Sequence, residues 1–323
     1  MRSHFQFGFR VRETPFGKRI LIDWPRAFSA YASCDSCAEV DRPAYLSAYQ
    51  FSEEFRDYLQ ANDSTKGYAG TCWSQWVWFD VDDEDEPDTA LRSTRKLIEF
   101  LGDRYGIADE LLVWFSGSKG YHVGLPTSLW MPDASPLFAK SCRQLAESVS
   151  ILSDIVIDLS VYDRVRLFRA PNSRHAKTGL FKRHLTLDEL FLLDVGGIQN
   201  LAVEPKPFGI PDDPPVHEQA VIDWQTAVEA ATATVCAVVR PVGTSPERLN
   251  RATRDFIING TDPGDRHRLL YSSARNLGEF ACSFELAFAL LEPPARDSGL
   301  PPSDIRRQIE CGLADEARKG GAQ

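Results

Sequence analysis

The stretch Trp76-Val-Trp-Phe-Asp-Val-Asp-Asp-Glu-Asp85 constrains this chain more than any other. Trp76 to Val81 is an aromatic and β-branched run without a helical period, which reads as a buried strand. Side chains two apart on a strand share a face, so Asp80 and Asp82 project together. A core strand rarely carries charge, because a lone buried carboxylate is costly. Two carboxylates at this spacing can share one hard cation. The acids continue through Asp83, Glu84, Asp85, Glu86 and Asp88, so a solvated acidic turn also accounts for the run.

A second stretch, Leu112 to Leu125, places two short strands around a loop holding Ser116, Lys119 and His122. Gly117 and Gly120 let that backbone turn tightly and approach a ligand closely. A hydroxyl, an ammonium and an imidazole together suit a phosphate chain. The spacings of a Walker loop and of a dinucleotide fingerprint are absent; a bare hairpin is the plain alternative. The third stretch runs from Ile157 to Gly179. From Arg164 to His184 there are seven Lys or Arg and two His without one acid, in a chain of net charge −10. A solvated basic face explains many such runs. Here Arg166 to Arg169 alternate like a strand, with Arg166 and Phe168 on one face and Leu167 and Arg169 on the other.

In this order the three stretches resemble the archaeo-eukaryotic primase superfamily. The matching residues are Phe79-Asp-Val-Asp82, Ser116-Gly-Ser-Lys-Gly-Tyr-His122, Ile157-Asp158, and Arg166-Leu-Phe-Arg-Ala-Pro-Asn-Ser-Arg-His-Ala-Lys-Thr-Gly179. The resemblance covers roughly Phe5 to Thr186. It implies an α+β fold, with an RRM-like sheet and helices as catalytic core, and template-directed nucleotidyl transfer with two metals. Asp80, Asp82 and Asp158 would hold Mg²⁺ or Mn²⁺, with Asp163 a near alternative to Asp158. Ser116, Lys119, His122, Arg169 and His175 would bind the triphosphate, and Lys119 stands where many relatives have Arg. Arg166, which would orient an acid or a phosphate, joins Arg174, Lys177 and Lys182 as candidates for DNA contact. The implied partners are a single-stranded DNA template, NTP or dNTP, and a replicative helicase or other mobile-element replication proteins. Two other classes stay open: a nuclease or phosphohydrolase built on the carboxylates, and a non-catalytic DNA-binding replication factor.

At 323 residues the chain can hold one large domain or two ordinary ones. Its 43% hydrophobic and 25% charged content is that of a soluble globular protein. No run of 18 apolar residues occurs, so no membrane span is expected, and the N-terminus lacks the apolar core of a signal peptide. Seven scattered cysteines suit a reducing cytoplasm better than a disulfide framework. The net charge of −10 is opposite to a nucleic-acid footprint, but seven acids fall within residues 80 to 88. DNA affinity is therefore expected to be weak and salt-sensitive, through local basic patches.

Along the chain, residues 5–11 and 19–23 predict a hairpin. Cys34-Asp-Ser-Cys37 is either a redox pair or half of a Zn²⁺ site, which needs two further ligands; Cys72 is the nearest candidate. Ala44 to Leu59 predicts an amphipathic helix and 62–71 a polar loop. Helices are expected around Leu91 to Leu101 and Phe138 to Leu152, leading to a strand at Ile155 to Asp158. That order predicts all three motifs on adjacent strands. Five prolines in 205–216 mark a linker. The domain expectation is a catalytic domain at 1–205, a linker and connecting helix at 206–245, and a small all-α domain at 246–323. The last part, from Asn259-Gly-Thr-Asp-Pro-Gly-Asp to the Ile305, Ile309, Leu313 stripe, resembles the helical domain C-terminal to primases of phages, plasmids and other mobile elements. It also fits a generic helical bundle. Arg251, Arg254, Arg266, Arg268 and Arg275 lie on its helices and are candidates to grip phosphates.

Overall fold

The computed structural model describes residues 5–12, 17–83, 86–238, 249–261, 264–280 and 282–320. Phe7–Arg12 (β1) and Ile20–Asp23 (β2) form the expected antiparallel hairpin, with Phe7 opposite Asp23. Asp23 then caps Trp24–Ala32 (α1), its carboxylate accepting from the Arg26 amide. Ala44–Ser47 (β3), Gln50–Phe51 (β4) and Glu53–Asn62 (α2) follow. The helix expected over Ala44 to Leu59 is thus two short strands and a later helix. The reason is tertiary: β3 pairs β1 on one side, with Arg10 opposite Leu46, and is paired on the other side as well. Partners on both edges override helical spacing in so short a segment.

Cys72–Trp73 (β5) and Trp76–Val81 (β6) come next, then Pro87–Tyr105 (α3). Leu112–Phe115 (β7), Tyr121–Pro126 (β8) and Phe138–Ser153 (α4) match expectation, although Leu152 is exposed rather than part of the packed stripe. Ile155 to Asp158 is not a strand. It makes one bond to a neighbouring strand, from the Asp158 amide to the Asp80 carbonyl at 2.9 Å. Leu167–Arg169 (β9) and Arg183–His184 (β10) precede Leu187–Leu192 (α5), Val195–Leu201 (α6) and Glu218–Val238 (α7). The remaining helices are Arg251–Asn259 (α8), Arg266–Gly278 (α9), Phe284–Asp297 (α10) and Pro302–Gly320 (α11).

The fold is α+β, with two antiparallel sheets and a helical C-terminal region. One sheet runs β5-β4-β1-β3-β9, with β2 also on β1; the other runs β10-β7-β8-β6. The acidic strand and the Ser116 loop therefore share the second sheet, while the basic run enters the first through β9. The three motifs come together across two sheets, not on adjacent strands of one. Period-two alternation puts Trp76, Trp78 and Asp80 on one face of β6. Trp78 packs against Trp114 and Phe168 at ring distances of 5.3 and 6.1 Å, and Trp76 against Phe28 at 5.1 Å. This aromatic layer fills the space between β6 to β8 and β9, and its polar end is Asp80. On α3, Leu91, Thr94, Leu97, Ile98 and Leu101 are all buried, so the helix packs against β6 and β8 as its spacing predicts.

The chain divides between Val238 and Val239 into two compact units. Residues 206–238, expected as linker and connecting helix, are docked on the first unit. The Lys206 amide bonds the Asn172 side chain, the Phe208 amide bonds the Ala32 carbonyl, and Phe208 stacks on His184. On α7, Trp224 stacks on Trp130 and packs on Phe138, while Asp223 accepts two bonds from Arg104 and one from Tyr105. Residues 239–245 lie outside the described ones. The second unit is a helical cluster around Phe256, Leu270, Leu277, Leu291, Ile305 and Ile309. Among the described residues, no helix is long and apolar enough to cross a membrane.

Candidate active site

Antiparallel pairing sets Asp80 directly opposite His122 on β8, and His122 opposite Trp114 on β7. Cross-strand neighbours share a face, so the carboxylate and the imidazole emerge side by side at the end of the aromatic layer. β9 faces them: the Phe168 ring lies 4.8 Å from that of His122. The cleft between has a volume of about 240 Å³. Asp80, Asp82, Ser116, Lys119, His122, Arg166, Arg169 and His175 all line it. Eight residues singled out from the sequence, spread over almost 100 positions, therefore meet at one place.

Two glycines make the meeting close. Gly117, at φ +87°, lies under the 175–180 turn, where a Cβ would sit 3.1 Å from the Leu180 carbonyl and 3.3 Å from His175 Cβ. Thr178 Oγ1 donates to the Gly117 carbonyl at 2.5 Å, joining the loop to the basic run. Gly120 lies under Asp82, where a Cβ would come 1.3 Å from Oδ1. The Ser116 hydroxyl oxygen accepts from the Gly120 amide at 3.3 Å within its own turn, which leaves its O–H able to donate.

The electrostatics follow from burial. The Asp80 carboxyl is pushed up to about 7, first by burial and then by Asp82 and Asp158. His122 is held well below its ordinary value by burial, then by Lys182, Arg169 and Arg166. Their contact, Nε2 to Oδ1 at 3.5 Å, is therefore not an ion pair. His175 is lowered to about 4, chiefly by burial and next by Arg169. Its Nδ1 accepts from the Lys177 and Thr178 amides, which leaves Nε2 as the protonated nitrogen. Burial also lowers Arg169, which stacks over Tyr45 at 5.4 Å.

Asp80 Oδ1 is buried without a hydrogen-bond partner. That orphaned oxygen beside Asp82, with like charge raising the Asp80 carboxyl, is the donor set a hard cation satisfies. Asp80 and Asp82 thus fit Mg²⁺ or Mn²⁺. Asp158 is near in backbone, through its bond to the Asp80 carbonyl, but its carboxylate caps the turn at 159–161, accepting from the Ser160 amide and hydroxyl at 2.8 Å each. Asp163 accepts from the Val165 amide. Neither lines the cleft. No group of three His, Cys, Asp or Glu side chains set for a metal occurs among the described residues. For zinc, Cys37 is exposed in a short turn capped by Asp35, whereas Cys72 is buried in β5 with its thiol 4.0 Å from the Ser135 carbonyl.

Of the residues expected on DNA, Arg166 is in the cleft. Arg174 is exposed, stacking over Phe181 and donating to the Gly179 carbonyl, and Lys177 is exposed nearby. Lys182 is a correction: it is 3% exposed and cannot reach DNA. Its side chain turns inward beneath the cleft because the 172–182 segment is a tight hairpin, with Lys182 bonded through its backbone to Asn172 and Ser173. In the second unit, Arg266 bonds the Ser298 and Gly299 carbonyls and Arg275 pairs with Glu316, so both serve the bundle. Tyr45, Ser118 and Val161 also line the cleft and were not found from sequence. The signal for Tyr45 was its place beside β9, which the helical reading of 44–59 concealed.

No protein-family model matches the chain, and no curated protein matches it in sequence. Among solved structures, the crystal structure of primase RepB' is similar to it at 13% identity, covering 98% of this chain and 94% of that one, with a TM-score of 0.34.

Proposed function

We propose that this cleft is the active site of a DNA primase-polymerase, which joins nucleotides on a single-stranded DNA template and extends the primers it starts. The observation that carries the reading is the convergence of the Asp80 and Asp82 carboxylates with Lys119, Arg166, Arg169 and His175 in one cleft. Bound Mg²⁺ or Mn²⁺ would supply Lewis acidity at the attacking hydroxyl and the leaving pyrophosphate. Asp80 and Asp82 would hold the cations, and Asp158 would be a third ligand only if its carboxylate left Ser160. Lys119, Arg166 and Arg169 neutralise the triphosphate, and His175 donates to it from Nε2. A neutral His122 adds a hydrogen bond without opposing the metals. Arg174 and Lys177, exposed beside the cleft, hold the template backbone.

The test is synthesis by the full chain on single-stranded DNA with labelled NTP or dNTP and either metal. Template-dependent products, with pyrophosphate released only when template and nucleotide are both present, are the expected result. Triphosphate hydrolysis or DNA cleavage without products would assign the carboxylates to a hydrolase instead. DNA binding alone would leave a replication factor without catalysis.

A further inference from the structure

Lys182 is an amino group that the core of the first unit does not need. It is 3% exposed, and among the described residues it forms no ion pair. Its Nζ lies 4.4 Å from the ring centre of Trp114, 5.6 Å from Phe168 and 6.0 Å from Trp78, and donates to the Arg169 carbonyl at 3.0 Å. Cation–π contact offsets part of the lost hydration, yet an apolar side chain of similar length would fill the space without that cost. A residue that breaks the local rule in this way belongs with a functional site.

Its placement says which function. The Lys182 backbone closes the hairpin carrying His175, through the Asn172 amide and the Ser173 carbonyl. Its side-chain end fixes the carbonyl of Arg169 on β9, the last strand of its sheet, which among the described residues has a strand partner only in β3. One side chain thus spans the two elements that bear the phosphate-facing Arg169 and His175. We propose that Lys182 is a positioning residue for triphosphate recognition, tying Arg169 to the His175 hairpin and setting the spacing at which the two groups meet a phosphate chain. This role rests on the reading of the cleft as a nucleotide site. It accounts for a basic residue that the sequence assigns to DNA and the fold hides from it.

The experiment uses the full chain and its variants Lys182→Met, Lys182→Gln, Arg169→Ala and the Lys182→Met/Arg169→Ala double. Two readouts are taken: equilibrium binding of a fluorescent nucleoside triphosphate with Mg²⁺ but no template, and the KM and kcat of synthesis. Lys182→Met is expected to keep or raise the Tm while weakening triphosphate binding and raising KM about tenfold, since misplacing a contact group loses affinity steeply. Its kcat should change less than KM. Lys182→Gln, which keeps a donor for the Arg169 carbonyl, should regain most of the loss. In the double variant the Met substitution should add little to the Arg169→Ala loss, because both act through one contact. Unchanged binding by Lys182→Met, additive losses, or a loss that only tracks a fallen Tm would each overturn the role. A wild-type chain that binds the triphosphate yet makes no product would remove the polymerase reading alone, with the Lys182 dependence still measured in binding. One that binds no triphosphate overturns both.

Discussion

Gly120→Ala is the sharpest single probe of the carboxylate site. The added Cβ would lie 1.3 Å from Asp82 Oδ1, 2.5 Å from its Cγ and 2.8 Å from the Val81 carbonyl. Ordinary contacts begin near 3.4 Å, so the carboxylate oxygen must retreat by about 2 Å. It cannot simply be replaced from the other side, because Gly120 is held to Ser116 through both its amide and its carbonyl. A misplacement of ~1 Å in a reacting geometry costs ~10²-fold, so kcat should fall by at least that factor. The clash with a main-chain oxygen is overpacking and should cost roughly 1–3 kcal/mol of stability, seen as a Tm lowered by several degrees but a cooperative transition. The assay pairs primer extension at saturating nucleotide across a Mn²⁺ titration with circular dichroism melting. Turnover within about threefold of wild type would refute the argument that Asp82 works from its place over Gly120.

Three further outcomes are expected. In metal-free buffer Asp80→Asn should melt higher than wild type above pH 7, with the difference vanishing toward pH 4. A carboxyl raised from 3.8 to about 7 in the fold favours folding below its unfolded value and loses that contribution as pH rises through 7, a few kcal/mol at most; the opposite trend in melting scans would reject the buried-carboxyl account, and the same variant should lose synthesis with either metal. Lys119→Ala and Arg169→Ala should weaken nucleotide use more than binding of a fluorescent single strand, and the reverse pattern would make the basic wall a template channel. A chain ending at Val238 should stay folded and extend a primer while losing most de novo starts. One ending near residue 216 should be unstable, because it strips Trp224 and Asp223 from Trp130, Phe138 and Arg104; equal melting of the two would show that α7 contributes nothing.

What the sequence determined by itself are the features written in local period and residue type. The β6 strand carrying Asp80, with Asp82 one residue past its end, is legible because side chains alternate in an extended chain, and α3 is legible because Leu91, Leu97 and Leu101 recur at helical spacing. The Ser116 loop was equally readable, since a turn between two short apolar runs needs only near neighbours to close. Tertiary structure decided whatever depends on partners distant in the chain. Ala44 to Ser47 has helical spacing but becomes a strand, because β1 and β9 offer it hydrogen bonds on both edges. Ile155 to Asp158 looks like a strand but has one bond to the edge of β6, so it stays extended and its acid turns to Ser160. Lys182 is the same residue type as Lys177 and lies five residues on. Only the folding back of the hairpin sends one to solvent and the other beneath the cleft, because residue type is written in the sequence, whereas exposure, and the ionisation that burial shifts, belong to the packing.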